Sequence, residues 1–177
     1  MKYTPEKEER KIKDAAARPV STGQGQSAFD CRMCGHCCEG RGGIVVDDAD
    51  LARLCAHLAL DAAEFERRWA ERRGGKLQLR SLERGGCVFF VPGEGCSVHE
   101  AKPDICRAWP YFRGNLIDSE SFALAKDFCP GISPVQEHAD FVREGIAYLQ
   151  KQGLTGHMGK DRANALRIKD LLPDPEK

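Results

Sequence analysis

The stretch Cys31-Arg32-Met33-Cys34-Gly35-His36-Cys37-Cys38 decides how this chain folds, because it brings four thiols into eight consecutive positions. Gaps of two residues allow a tight turn to point successive sulfur atoms at one ion or cluster. Gly35 directly follows the second cysteine, and glycine adopts the positive φ of such a turn at little cost. The pattern therefore predicts that thiolates of this segment bind a metal.

The other cysteines support metal binding over disulfide formation. The chain has nine cysteines, an odd number. Disulfides are rare in reducing compartments, and adjacent Cys37 and Cys38 would need strained geometry to pair with each other. Cys55 falls on an apolar helical stripe with Leu54 and Leu58, so we interpret it as a core residue.

Eight cysteines outside this stripe are the candidate metal ligands: Cys31, Cys34, Cys37, Cys38, Cys87, Cys96, Cys106 and Cys129. A tetrahedral Zn²⁺ or a 4Fe–4S cluster takes four thiolates. Eight thiolates permit two sites, one binuclear site with shared ligands, or one site with spare cysteines. Cys129 precedes a proline, like the remote ligand of some ferredoxins. We therefore expect an iron–sulfur cluster, of the 4Fe–4S type, with Zn²⁺ as the alternative.

Two cations near the cysteines are candidates to offset the negative charge of the thiolates. Arg107 directly follows Cys106, and Lys102 lies four positions before that cysteine. Positive groups and N–H donors around a thiolate site stabilise its charge without binding the metal themselves. Solvated surface charges are the alternative interpretation of both residues.

Composition and charge narrow the class of protein. The chain of 177 residues has 27 basic and 27 acidic residues and no formal net charge, so a nucleic-acid partner is not expected. It contains no apolar run of membrane-spanning length and no secretory signal at Met1, which predicts a cytoplasmic protein without a membrane partner. We expect a protein partner, either a redox partner or an interaction partner, whose identity the sequence leaves open.

The pattern of elements predicts a small, irregular, single α+β domain with short strands and three or four helices around a cysteine-rich metal site. We expect a charged extension over residues 1–26, the metal-binding domain over 27–152, and a tail over 153–177 with a short helical pattern. A strand is predicted at 44–46 and helices after Asp47 or Asp48, from Asp61 to Gly74-Gly75, and from Ser133 to Gln152. Residues 96–131 are predicted to be irregular because they contain three prolines and three cysteines.

An ordered set of motifs makes a resemblance specific: the segment Cys31 to Cys38, then Cys87-Val88-Phe89-Phe90, Cys96-Ser97-Val98-His99, Lys102-Pro103-Asp104-Ile105-Cys106-Arg107-Ala108-Trp109-Pro110 and Cys129-Pro130. Over roughly residues 28–131 the chain resembles the YkgJ-type cysteine cluster family, described as a zinc- or iron-chelating domain with a CxxCxxCC signature. The resemblance implies that the eight cysteines other than Cys55 are the family set. Lys102 stands where the family commonly has Arg, and His99 where it commonly has Tyr.

The predicted function is that of a metal-binding protein that holds an iron–sulfur cluster and serves as a redox or electron-transfer component. The alternatives are a zinc-binding structural or interaction module and a metal-handling, chelating protein. The sequence has no Gly-rich phosphate loop and no zincin motif, and cysteines bound to metal are not free nucleophiles. Whether the chain is an enzyme stays open, and any catalysis would be redox chemistry at the metal centre.

Overall fold

The computed structural model describes residues 27–39, 43–83, 85–155 and 163–172. The predicted extension over residues 1–26 lies outside them. The predicted α+β class is confirmed, but the described residues form six helices rather than three or four. The helices are α1 (Asp48–Leu58), α2 (Ala62–Trp69), α3 (Asp104–Ala108), α4 (Arg113–Ile117), α5 (Ser119–Phe128) and α6 (His138–Lys151). The strands are β1 (Ala70–Arg73), β2 (Lys76–Leu79), β3 (Phe90–Val91) and β4 (Gly95–Cys96).

The described residues group into two compact units. The cysteine unit contains residues 32–107 and 163–164, and the helical unit contains residues 27–31, 108–155 and 165–172. No helix of the described ranges is long and apolar enough to cross a bilayer. The predicted boundaries at residues 27 and 152 stay predictions.

Helix α1 begins where the sequence predicts. The Asp47 side chain accepts the N–H of Asp50 at 2.9 Å, and the Asp50 side chain accepts the N–H of Asp47 at 3.3 Å. This reciprocal capping box satisfies two N–H groups that have no partner inside the helix. Leu54 is buried in the core of the cysteine unit, and Cys55 packs against that core as predicted.

The Gly74-Gly75 pair ends a strand, not a helix as the sequence analysis predicted. Helix α2 is capped by Asp61 as expected but stops at Trp69. The next residues form β1, which pairs with β2 in antiparallel register across the two glycines. Gly74 and Gly75 have φ of 55° and 77°, which suits a two-residue hairpin turn whose twist matches the strands.

The predicted strand at 44–46 is reduced to an isolated bridge between Val45 and Gln78. Val46 donates its N–H to Leu77, and Leu79 donates to Ile44, both at 2.9 Å. Side chains from these segments and from both helices then form one core, which buries Val46, Leu54, Phe65, Leu77, Leu79, Phe89 and Val98. This core supports the loops that carry the cysteines.

Residues 96–131 are more helical than predicted, since α3, α4 and α5 all lie there. Helices α3 and α4 have five residues each, too few to show a helical period in the sequence. Asp118 caps α5 by accepting the N–H of Ser121 at 2.9 Å. A side-chain cap of this kind can therefore start a helix in a segment that prolines bound on both sides.

Helix α6 begins at His138, five residues after the predicted cap at Ser133. Val135 lies within the predicted helix but precedes the observed one, and it is 79% exposed. The buried face consists of Phe141, Val142, Gly145, Ile146 and Leu149. Tyr111 packs so closely on this face that a Cβ at Gly145 would lie 2.4 Å from its ring. In the predicted tail, residues 164–171 form two short 3₁₀ turns and bury Leu171.

Candidate metal centre

The CxxCxxCC segment forms a tight turn that ends in a 3₁₀ turn over His36–Cys38. Gly35 begins it with φ of 87°, and the N–H of Cys38 donates to the Gly35 carbonyl at 2.7 Å. The sequence analysis predicted this use of the glycine. The ring of Phe90 packs against Gly35, so that a Cβ there would lie 2.2 Å from a ring carbon. Local conformation and close packing both require glycine at this position.

Backbone hydrogen bonds hold the turn beside two later cysteines. The N–H of Cys87 donates to the carbonyl of Cys38 at 2.7 Å. Cys96 lies opposite Phe90 in the β3–β4 pair, and the N–H of Phe90 donates to Cys87 at 3.0 Å. Three cysteines that are far apart in the sequence therefore share one small region of backbone in the cysteine unit.

Cys106 joins this group from the first turn of α3, where its N–H donates to Pro103 at 2.8 Å. Burial raises the pKa of the Cys106 thiol, and the neighbouring Cys87, Cys37 and Cys96 raise it further. A group shifts the pKa of another in this way only when the two are close, because the effect falls off with distance. We call Cys37, Cys38, Cys87, Cys96 and Cys106 the five-thiol cluster.

Cys37 and Cys38 form a hydrogen-bonded pair with opposite pKa shifts. The hydrogen bond from Cys38 and, to a smaller extent, the charge of Lys102 lower the pKa of Cys37 from 9.0 to about 6, although burial opposes them. The same hydrogen bond raises the pKa of Cys38, followed by burial and by the neighbouring Cys87 and Cys96. Burial likewise raises the pKa of Cys87. The Cys37 thiolate is thus stabilised by its neighbours, while Cys38, Cys87 and Cys106 hold their protons more tightly than an isolated thiol does.

The five sulfurs are neighbours but do not yet surround a single point. In the described ranges, no three His, Cys, Asp or Glu side chains are arranged to hold a metal ion as they stand. None of the nine cysteines, all of which lie in the described ranges, forms a disulfide. Metal ligation requires thiolates, so binding would remove protons and rotate these side chains toward the ion. The donor chemistry fits thiophilic iron or zinc.

Cys31 and Cys129 belong to the helical unit, where two backbone segments run side by side. Phe29 bridges Ile132, and the N–H of Asp30 donates to Gly131 at 2.9 Å. Cys129 is buried, and its sulfur accepts the indole N–H of Trp109 at 3.4 Å. Phe112 and Phe128 contact the Trp109 ring edge to face, at centroid distances of 5.2 and 6.3 Å.

The two predicted cations have different surroundings. Lys102 lies close enough to the five-thiol cluster for its charge to lower the pKa of Cys37 and to oppose the rise in the pKa of Cys106. Arg107 forms an ion pair with Asp104 at 2.9 Å. Cys34 is exposed in its turn and is not in the cluster as defined above. The eight predicted ligands thus fall into three groups. Five form the five-thiol cluster, Cys34 is exposed in its turn, and Cys31 and Cys129 lie on two adjacent segments of the helical unit.

Asp50 and Arg53 of α1 were not recognised from the sequence as part of this region. Asp50 Oδ1 accepts the N–H of Asp104 at 2.8 Å, and Arg53 Nη2 donates to Asp104 Oδ1 at 3.0 Å. Both residues are therefore attached to the turn that leads to Cys106. More than fifty positions separate the partners, so no local pattern indicates the contact.

Asp50 should give the protein a pH-dependent stability. Its side chain is buried, and burial, then the neighbouring Asp104 and Asp47, raise its pKa from 3.8 to about 6 despite the opposing charge of Arg53. The folded state thus holds this proton more tightly than the unfolded chain does. The free energy of unfolding should therefore fall between the unfolded and folded pKa values as pH rises, by about 2–3 kcal/mol.

Asp50→Asn tests this because the variant cannot titrate there. Urea unfolding of the metal-free protein, measured at several pH values between the two pKa values, should show the fall in wild type and a flatter curve in the variant. Parallel curves would show that Asp50 has an ordinary pKa. Asp48→Asn, an exposed neighbour in the same helix, should retain the wild-type slope.

Comparison with known proteins gives one family and no individual relative. A family model named CxxCxxCC, with the description "Putative zinc- or iron-chelating domain", matches residues 30–130. No curated protein and no solved structure matches the chain. The matched range covers more than half of the 177 residues and contains the five-thiol cluster and Cys34, Cys31 and Cys129. The chain therefore belongs to the CxxCxxCC family, whose description supports metal binding.

Proposed function

We propose that this protein holds an iron–sulfur cluster on its cysteine thiolates and acts as a redox or electron-transfer component. The observation that carries the proposal is the five-thiol cluster, in which cysteines from three distant parts of the chain lie beside one another and beside Lys102. Four of the five thiols are partly buried, and placing them beside one another would be unfavourable once they ionise, unless a cation neutralises them. A thiophilic metal centre supplies that charge.

The arrangement supports iron–sulfur chemistry through the number and environment of its thiols. Four thiolates complete a 4Fe–4S cluster, and the five clustered thiols suffice for one. Hydrogen bonds to sulfur and a dry surrounding set the potential of such clusters. Trp109 supplies an N–H to the sulfur of Cys129, and the ring of Phe112 packs against Trp109. A cluster held by these thiolates would supply one-electron chemistry.

Zinc is the second candidate, and the turn at Gly35 favours it. Cys34 precedes a glycine with positive φ, and Cys37 lies in the 3₁₀ turn that follows this glycine, a geometry suited to closed tetrahedral thiolate sites. A zinc site would make the protein a structural or interaction module. A metal-handling role is the third candidate, and it requires metal exchange fast enough for delivery.

Metal and acid-labile sulfide analysis of anaerobically purified protein tests these candidates. Iron with equivalent sulfide, and a brown colour, would support the proposal. Stoichiometric zinc without sulfide would replace it with the zinc module, and rapid loss of that zinc to a chelator would favour metal handling. Protein with neither metal, after anaerobic reconstitution with iron and sulfide also fails, would refute all three.

Trp109→Phe should lower the reduction potential of any cluster that Cys129 ligates. The substitution retains an aromatic ring between Phe112 and Phe128 but removes the N–H that donates to the sulfur of Cys129. The reduced cluster carries more negative charge and therefore gains more from this donor than the oxidised cluster does. Redox titration monitored by visible absorption measures the shift.

Trp69→Phe is the matched control for this potential. The Trp69 indole N–H is buried without a hydrogen-bond partner among the described residues, and its ring packs against Phe89. The substitution therefore removes an indole without removing a bond to sulfur. Equal potentials for Trp109→Phe and wild type would exclude Cys129 as a tuned ligand.

The proposal also includes a reducing compartment and a protein partner. Thiolates available for metal remain reduced in the cytoplasm, which is where we place the protein. An electron-transfer role needs a second redox protein that exchanges electrons with the centre. Neither nucleic acid nor a membrane is part of the proposed role.

A further inference from the structure

We propose that Asp50 and Arg53 of α1 are positioning residues for the metal centre, because they fix the turn that presents Lys102 and Cys106 to the other thiols. The inference rests on the proposed function and assigns a role to residues outside the cysteine motifs. It depends on a set of contacts that converge on residues 101–104.

Arg53 contacts this turn through three acceptors. Its Nε donates to the carbonyl of Ala101 at 3.4 Å, and its Nη2 donates to the carbonyl of Lys102 at 3.1 Å and to Asp104 Oδ1 at 3.0 Å. These acceptors span four consecutive residues. A guanidinium holds its donors in a fixed plane, so the three contacts define the path of the turn.

Asp50 completes the attachment from the first turn of the same helix. Its Oδ1 accepts the N–H of Asp104, the first residue of α3, and also pairs with Arg53 Nη2. Asp50 thus satisfies an N–H that has no partner within α3. The contact fixes where α3 begins, and Cys106 lies two residues later in that helix.

The charges of Asp50, Arg53 and Asp104 depend on one another because all three side chains are partly or fully buried. Asp50 is 3% and Asp104 15% exposed at the side chain, and Arg53 lies between the two carboxylates. Removing Arg53 would leave two neighbouring carboxylates without their shared cation, which is costly where water is excluded. The turn would then shift or open, and with it the positions of Lys102 and Cys106.

Arg53→Met tests the role, with Arg67→Met as its matched control. Arg67 forms an ion pair with Glu64 at the same i,i+3 spacing as the Arg53–Asp50 pair, but it lies on an exposed face of α2. We expect the affinity for Zn²⁺, measured in competition with a chromophoric chelator, to fall about 10–100-fold in Arg53→Met. Arg67→Met should bind Zn²⁺ as wild type does.

Cysteine alkylation of the metal-free protein separates positioning from general instability. Cys55 lies on α1 two residues after Arg53, so it reports whether that helix itself opens. We expect Arg53→Met to increase the alkylation rate of Cys106 relative to that of Cys55, as quantified by mass spectrometry. An unchanged ratio, or a Zn²⁺ affinity equal to that of Arg67→Met, would overturn the inference.

Arg53→Lys keeps the experiment decisive if the methionine variant does not fold. Lysine retains the charge between the carboxylates but cannot span the carbonyl of Ala101 and Asp104 with one planar group. We expect a partial rise in the ratio of the Cys106 and Cys55 alkylation rates and a partial loss of Zn²⁺ affinity. Wild-type values of both quantities would overturn the positioning role.

Failure of the proposed function would instead appear in the wild-type protein as no retained iron or zinc. The ratio of alkylation rates would still test the positioning role in that case.

Discussion

Cys106→Ser is expected to remove most of the bound metal and the stability that the metal provides. Cys106 is the cysteine whose thiol is influenced by Cys87, Cys37 and Cys96 together, so it lies within the five-thiol cluster. A serine hydroxyl stays protonated at neutral pH and is a poor substitute for a thiolate ligand. At metal concentrations a thousandfold above Kd, binding adds roughly 4 kcal/mol to the free energy of unfolding, and the variant should lose that increment.

The measurement is metal content together with urea unfolding in the presence and absence of metal. Cys55→Ser is the control, because Cys55 packs against the apolar core and is not in the cluster. It should lower the stability of both forms equally while leaving metal content unchanged. Full metal content in Cys106→Ser would remove this residue from the ligand set and leave Cys38 as the candidate for its place.

Comparison with Cys34→Ser refines the result. Cys34 belongs to the CxxCxxCC motif but is exposed in its turn. On spacing alone Cys34 and Cys37 are equivalent ligands, and both are exposed, but Cys37 raises the pKa values of Cys87 and Cys106 and therefore lies beside the thiols of the later segments. We therefore expect a smaller loss of metal in Cys34→Ser than in Cys106→Ser.

The sequence predicted the features that depend on neighbours in the chain. Asp47 and Asp61 cap α1 and α2 as expected, because a cap involves residues three positions apart. Gly35 adopts the positive φ that its motif requires. Cys37 lies beside Cys87, Cys96 and Cys106, but the assignment of the eight cysteines as metal ligands stays a prediction.

The end of α2 and the start of α6 were predicted wrongly because the same sequence signal fits two different local structures. A Gly-Gly pair ends helices and also forms hairpin turns, and pairing of β1 with β2 decides for the hairpin. Ser133-Pro134 has the composition of a helix start, yet Lys126 donates to the carbonyls of Pro134 and Gln136 at 3.2 and 3.4 Å. Those carbonyls therefore accept hydrogen bonds from a side chain of another helix. Helix α6 itself begins only at His138. Contacts of this kind depend on tertiary structure.

Gly35→Ala is the second substitution from which we expect a large effect. Gly35 has φ of 87°, where a side chain costs about 1–2 kcal/mol, and an added Cβ would lie 2.2 Å from the ring of Phe90. Overpacking adds roughly 1–3 kcal/mol more. The metal-free protein should therefore lose about 2–5 kcal/mol of unfolding free energy, the sum of these two costs. The turn that carries Cys37 and Cys38 should move away from Cys87, and metal affinity should fall.

Gly93→Ala isolates the backbone part of this cost. Gly93 has φ of 84°, but a Cβ there would have no atom within 4 Å. The control should therefore lose only about 1–2 kcal/mol. Because the remaining loss in Gly35→Ala comes from contact with the Phe90 ring, Phe90→Leu should recover part of it in the double variant. Equal losses at the two glycines would mean that the ring can move aside and that close packing on Phe90 does not hold the cysteine turn in place.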